Sequence, residues 1–125
     1  MSERKNVIVA TADQDAKEAI CDSLQGFSRE CSVKPVEEGG KAILTLLNEG
    51  ADLVIVDLNL GGISGLEAVE IMRKSRPKVP IIVISSDKSV ETGSKVMQQG
   101  IFYYMFKPFR VDELRTVVES ALGKG

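Results

Sequence analysis

The chain of 125 residues contains no histidine. That excludes imidazole acid–base chemistry, Ser–His triads and histidine metal sites built from this chain alone. Cysteine is scarce. Cys21 and Cys31 have neither metal-site nor redox-pair spacing and read as reduced, partly buried thiols of a cytosolic protein. A basic excess is also missing: 16 Lys and Arg against 18 Asp and Glu leave a net charge of −2, so direct nucleic-acid binding by this domain is not expected. No apolar run approaches membrane-spanning length, and no secretory leader precedes the first apolar stretch, so a cytoplasmic protein with no membrane contact is expected. Internal repeats, low-complexity tracts and Pro/Gly/Ser linkers are absent, and a single domain over 1–125 is expected.

What is present is organised around residues 51–67, ADLVIVDLNLGGISGLE. Leu53, Val54, Ile55 and Val56 form a short, largely β-branched apolar run, the pattern of a strand buried on both faces of a parallel sheet. Asp57 ends that run and is expected to have left the core at the strand's carboxyl end, the edge where open α/β sheets bind ligands. Asn59, Gly61, Gly62 and Gly65 follow as a mobile turn, and Ser64 with Glu67 makes the S-x-x-E capping pattern of a helix start. Alone, an Asp after a strand is more often a turn or cap residue than a functional one; what else in the chain aims at the same spot decides the meaning of Asp57.

Strand-length apolar segments at 6–10, Cys31–Val36, 53–56, 81–84 and 101–105 alternate with helical segments at 13–27, 41–48, Gly65–Ser75, 89–99 and Val111–Leu122. In the first helix Ala16, Ala19, Ile20, Leu24 and Phe27 recur near the 3.6 period; in the second Ile43, Leu46 and Leu47 are expected inward. Strict alternation predicts an α/β fold, (βα)5, with a doubly wound parallel sheet and helices on both faces. The strands' carboxyl ends then carry Thr11, Ala12 and Asp13, Asp57, Ser85 and Ser86, and Lys107 with Pro108. If the first, third, fourth and fifth strands are neighbours, a carboxylate, a hydroxyl and an ammonium converge on one crevice.

With VIVDLNLGGISGLE, PIIVISS and YYMFKPF in this order and spacing, the chain resembles the receiver domain of two-component response regulators over essentially its whole length. The resemblance implies a flavodoxin-like sheet of order 2-1-3-4-5, an arrangement for which a receiver is itself a standard example. It further implies that Asp57 is the phosphoacceptor, taking a phosphoryl group from a histidine kinase or a histidine phosphotransfer protein. Lys107 would give a compact positive charge to a phosphoryl oxygen, and Ser85 would hydrogen-bond the phosphoryl group as a switch residue. Tyr104 matches the family's rotameric switch aromatic. Mg²⁺ would be held by Asp57 and the backbone carbonyl of Asn59. The Lys107–Pro108 bond would be cis.

One departure stands out. The family's two adjacent acids after the first strand fall here on Thr11 and Ala12, or one residue earlier on Ala10 and Thr11, and neither register is acidic. Asp13 is the nearest acid, a candidate metal ligand or a helix cap, with the cap preferred; Asp15 reads as a cap or first-turn acid. Fewer carboxylates predict weak Mg²⁺ binding, while the loss of like-charge crowding favours a direct Lys107–Asp57 pair.

The rival functions are weighed on residues. A haloacid-dehalogenase-type phosphatase needs D-x-D, but the second position is Asn59. Gly61, Gly62 and Gly65 do not supply a P-loop, and ATADQD after the first strand has no dinucleotide-binding glycine. An enzyme is therefore not expected. A phosphorylation-independent pseudo-receiver, acting as a protein-interaction module, stays open: Ser85 and Lys107 argue against it, Thr11 and Ala12 for it. In the family, output uses the face of helix four, strand five and helix five, here drawn from 88–99, 102–106 and 110–120. Phe102, Tyr103, Tyr104 and Phe106 would be its anchors toward a downstream target, a tethered effector domain or a second copy in a homodimer. The chain is expected to be either a stand-alone receiver or part of a larger regulator or hybrid kinase.

Overall fold

The computed structural model describes residues 4–25 and 31–123. Five strands, β1 (Lys5–Ala10), β2 (Cys31–Val36), β3 (Leu53–Asp57), β4 (Ile81–Ser85) and β5 (Tyr103–Phe106), form one sheet of order β2-β1-β3-β4-β5. Every pairing is parallel. Five helices alternate with them: α1 (Gln14–Gln25), α2 (Gly39–Glu49), α3 (Gly65–Ser75), α4 (Val90–Met97) and α5 (Val111–Leu122).

The apolar runs are unbroken because both faces of the sheet are covered. Successive strand residues point to opposite faces. Ile8, Ala10, Val54, Val56, Ile81 and Val83 pack with Ala42 and Leu46 of α2, Val69 and Met72 of α3 and Val96 of α4. Val7, Val9, Leu53, Ile55, Ile82, Ile84 and Met105 pack with Ile20 and Leu24 of α1 and Leu114 and Val118 of α5. Cys21 and Cys31 are both half-buried, and burial pushes the Cys21 thiol up. No helix among the described residues is long and apolar enough to cross a membrane.

Several boundaries differ from those read off the sequence. β5 spans Tyr103–Phe106 rather than 101–105, because its register runs from Ile82↔Tyr103 to Ser85↔Phe106, which leaves Ile101 no paired partner on β4. α2 starts earlier than residue 41, at Gly39, because Glu38 bridges Gly61 and fixes the chain just ahead of the helix. Its buried face is Gly39, Ala42, Thr45 and Leu46. Leu47, expected inward, lies about 100° further round and is 38% exposed. Ser89 is the N-cap of α4 rather than part of it, and that helix ends at Met97. α1 begins at Gln14, with Asp13 just outside; Phe27 lies outside the described residues.

The turn after β3 is held on both sides. Gly39 N donates to Gly61 O and Gly61 N to Glu37 O, each at 3.0 Å. Only Gly62 there, at φ 74°, needs glycine for its backbone conformation. Gly65 is needed for another reason: a Cβ on it would lie 2.5 Å from Leu58 Cα.

Candidate functional site

Asp57 ends β3 but has not left the interior: it is only 1% exposed. A carboxylate that deep must be hydrogen-bonded and paired. Its Oδ1 accepts from Asn59 N at 3.0 Å. Its Oδ2 accepts from Thr11 Oγ1 at 2.8 Å and from Lys107 Nζ at 2.8 Å. Thr11 follows β1 and Lys107 follows β5, so three strand ends meet on one carboxylate. Lys107 is positioned by its backbone N–H, which donates to Ser85 O at 2.9 Å. Its bond to Pro108 is cis, as expected.

Lys107 has a second carboxylate, Asp13 Oδ2, at 3.0 Å. Burial alone pushes the Lys107 ammonium down, but its hydrogen bonds to Asp57 and Asp13 outweigh that and hold it above its ordinary value. The hydrogen bond from Lys107 in turn holds Asp13 below the usual carboxylate range, helped by the amide of Ala16. Asp13 also caps α1: its Oδ1 accepts from Asp15 N at 3.0 Å and Ala16 N at 3.3 Å. The two alternatives for this residue are thus divided between its two oxygens, and the cation at Oδ2 is an ammonium. Asp15 sits in the first turn of α1 and does not cap it.

Ser85 is buried beside this cluster on the fourth strand end. Its Oγ accepts from Asp87 N at 2.9 Å, tying the turn after β4. With Asp57, Ser64, Thr92 and Lys95 it lines a cleft of about 430 Å³ into which a ligand of Asp57 would project. Tyr104 packs edge-on to Phe106, centroids 5.0 Å apart, and its hydroxyl donates to Asp87 O at 3.2 Å. Asp87 is therefore shared by both expected switch residues. Its side chain accepts from Thr92 Oγ1 at 2.6 Å and Ser89 N at 2.9 Å, which hold its carboxyl below the usual range.

Two residues of this arrangement were not assigned a place in it from sequence. In the sequence Thr11 reads only as the site of a missing acid; in the fold it is 1% exposed and bonded to Asp57, whereas Ala12 is exposed. The signal was available in the strand alternation, since Thr11 continues the face of Val7 and Val9 as Asp57 continues that of Leu53 and Ile55. Asp87 carried no sequence signal, because its importance lies in contacts with Tyr104 and Thr92 that the fold creates.

The residues expected to hold Mg²⁺ can be tested as a donor set. Asp57 Oδ2 and Asp13 Oδ2 are both bonded to Lys107. The carbonyl of Asn59 accepts from Ala12 N at 3.0 Å. Among the described residues no group of three or more His, Cys, Asp or Glu is placed to hold a metal ion. Mg²⁺ asks for an octahedron of oxygens with carboxylate charge. Two carboxylates already joined to an ammonium do not fit that requirement.

The sequence matches the response regulator receiver domain family over residues 6–119. Among curated proteins it is 31% identical to regulatory protein AtoC of Escherichia coli over 80% of this chain and 21% of that protein. It is 26% identical to the DNA-binding transcriptional regulator NtrC of Salmonella typhimurium, over 96% of this chain and 25% of that protein. The chain thus spans about a fifth to a quarter of the length of these relatives. In fold it is similar to a CheY-like receiver domain protein from Methanospirillum hungatei, with a TM-score of 0.85 at 21% identity over 96% of this chain and 94% of that one. It is also similar to the signal receiver domain of a LuxO repressor protein from Vibrio parahaemolyticus, with a TM-score of 0.86 at 22% identity over 96% and 91%. Receiver domains are signalling modules and as a family bind Mg²⁺. With a flavodoxin-like sheet and a carboxylate, a hydroxyl and an ammonium gathered at its carboxyl edge, the chain belongs to the response regulator receiver domain family of two-component systems.

Proposed function

We propose that this domain accepts a phosphoryl group on Asp57 from a phosphohistidine supplied by a histidine kinase or histidine phosphotransfer protein. The observation that carries the reading is the buried Asp57–Lys107 contact of 2.8 Å at the carboxyl edge of the sheet. In the transfer the P–N bond of the donor breaks with its electron pair on the imidazole, and a P–O bond forms to the Asp57 carboxylate. Such a reaction asks the acceptor for positioning and charge neutralisation. Lys107 neutralises developing charge on the phosphoryl oxygens. The Ser85 hydroxyl, beside Asp57 in the same cleft, turns its donor from Asp87 O, at 3.5 Å, to the phosphoryl group. Because Tyr104 is bonded to that same Asp87, the exchange reaches the aromatic and the face made by α4, β5 and α5.

That face presents Phe102, Tyr103 and Phe106, each between 39% and 45% exposed, together with exposed Val90, Met97 and Val111. Through it the domain engages a downstream protein, a tethered effector domain or a second copy of itself. We take residues 1–125 as one cytoplasmic receiver unit without direct nucleic-acid or membrane contact, and Mg²⁺ as a weak ligand, since Asp57, Asp13 and the Asn59 carbonyl are otherwise engaged.

A second reading is favoured by Thr11. A neutral hydroxyl closed onto Asp57 is what a pseudo-receiver, signalling without phosphorylation, would retain. Acetyl phosphate labelling separates the two. The wild type is expected to gain one phosphoryl group and Asp57→Asn none; a folded wild type that never labels would establish the pseudo-receiver.

A further inference from the structure

Where a divalent ion would need carboxylates, this site holds an ammonium. Lys107 Nζ lies 2.8 Å from Asp57 Oδ2 and 3.0 Å from Asp13 Oδ2, with 15% of its side chain exposed. Two carboxylates and one ammonium sum to −1. An acid at position 11 would bring the sum to −2, the deficit a divalent cation corrects; Thr11 supplies a neutral donor there instead. For Mg²⁺ to take Asp57 Oδ2 and Asp13 Oδ2 as ligands, it would have to displace Lys107 from two charge-assisted hydrogen bonds, and one of the two lone pairs of Asn59 O is already given to Ala12 N–H. An ammonium has three donors. Among the described residues two are used, which leaves the third for a phosphoryl oxygen.

We propose that Lys107 is the resident cation of this site, that Asp13 is the residue that positions it, and that Asp57 takes its phosphoryl group without a divalent metal. The inference rests on the phosphoacceptor reading above. Asp13 suits the role because it is fixed from both ends: its Oδ1 is locked onto the amides of Asp15 and Ala16 at the start of α1, so its Oδ2 holds the ammonium at a set place. The attacking atom is Asp57 Oδ1, which among the described residues accepts one hydrogen bond where Oδ2 accepts two. With acetyl phosphate, the bond from phosphorus to the acyl oxygen breaks and its electron pair leaves with acetate. The new P–O bond forms at Oδ1, and no proton or external electron is required. Asn59 N, 3.0 Å from Oδ1, is then the donor nearest the new bond, with Thr11 Oγ1 and Lys107 Nζ still holding Oδ2 beside it.

The test is acetyl phosphate labelling of the intact chain, followed by mass, in EDTA and in Mg²⁺, with Mg²⁺ alone titrated separately against the amide signals of Ala12 and Asn59. Wild type is expected to label at rates within about twofold in the two buffers, and its Ala12 and Asn59 signals to drift only weakly with Mg²⁺ without reaching saturation. Thr11→Asp should acquire both a saturable shift and Mg²⁺-dependent labelling. Asp13→Asn, which removes one charge-assisted hydrogen bond from Lys107, should slow labelling about tenfold in both buffers. The loss should fall on the rate at saturating donor and not on half-saturation, a split that simple loosening of α1 would not give. Labelling of wild type that needs Mg²⁺, or a saturable Mg²⁺ shift in wild type, would overturn the inference and leave Asp57 as acceptor. An Asp13→Asn variant that labels at the wild-type rate would remove Asp13 from it. Labelling in neither buffer would overturn the phosphoacceptor reading and this inference together.

Discussion

Replacing Lys107 by methionine keeps most of the side chain's volume and removes its charge. The carboxylate left behind is 1% exposed, so water cannot take the ammonium's place. Breaking a buried ion pair from one side costs roughly 3–5 kcal/mol. Thr11 Oγ1 and Asn59 N would still serve Asp57, which places the expected loss for Lys107→Met at the low end, about 3 kcal/mol. The opposite removal, Asp57→Asn, is not equivalent. Lys107 would keep Asp13 at 3.0 Å and, being 15% exposed, could hydrate, so about 1 kcal/mol is expected. Removing both charges leaves neither orphaned, and the double variant should be less destabilised than the sum of the singles by about 2 kcal/mol. Urea unfolding reads all of this: with a slope of about 1.5 kcal/mol/M, Lys107→Met should lower the midpoint by about 2 M at unchanged slope. A smaller midpoint shift for Lys107→Met than for Asp57→Asn, or strict additivity in the double variant, would refute the dependence of the buried carboxylate on this lysine.

Two further predictions concern local structure. Gly65→Ala should destabilise by about 2–3 kcal/mol, since the new methyl meets fixed backbone at Leu58. Gly40→Ala in α2 meets nothing within 4 Å and should stabilise by about 0.5–1 kcal/mol; paired thermal or urea melts check both signs. Asp87 gives a pH dependence. Its folded pKa is depressed, chiefly by the Thr92 hydroxyl and then by the Ser89 amide, so its contribution is complete above its ordinary value of 3.8 and disappears as pH falls through the lower folded value. The amides of Ser89 and Thr92 should therefore move in a step whose midpoint lies below pH 3.8, and Asp87→Asn should abolish that step; a midpoint above 3.8 would contradict the assignment.

The layered fold was legible because it follows from short-range chemistry. Runs such as Leu53–Val56 and Ile81–Ile84 have no polar residue to face water, so each had to be covered on both sides, and their alternation with amphipathic segments left a parallel sheet as the arrangement that buries them. Asp57, Ser85 and Lys107 were readable for the same reason: each is the first polar residue beyond, or at the end of, an apolar strand or strand-like run, and the carboxyl edge of the sheet gathers such residues. What those side chains bond to was decided by tertiary structure. The face parity of the strands sets Thr11 and Asp57 on the α1 and α5 side of the sheet and Ser85 on the other, which is why Asp57 bonds Thr11 while Ser85 bonds Asp87. No local pattern could show that Asp13 would cap a helix with one oxygen and hold Lys107 with the other, because its partners are two residues away in one direction and ninety-four in the other. The exposure of Leu47 has the same origin, since periodicity selects a stripe but the neighbouring α3 and the Glu38–Gly61 bridge fix how α2 is rolled. Sequence determines which residues must leave water and which must stop at the sheet's edge; only the packed chain determines which donors are close enough to replace the water that a buried carboxylate has lost.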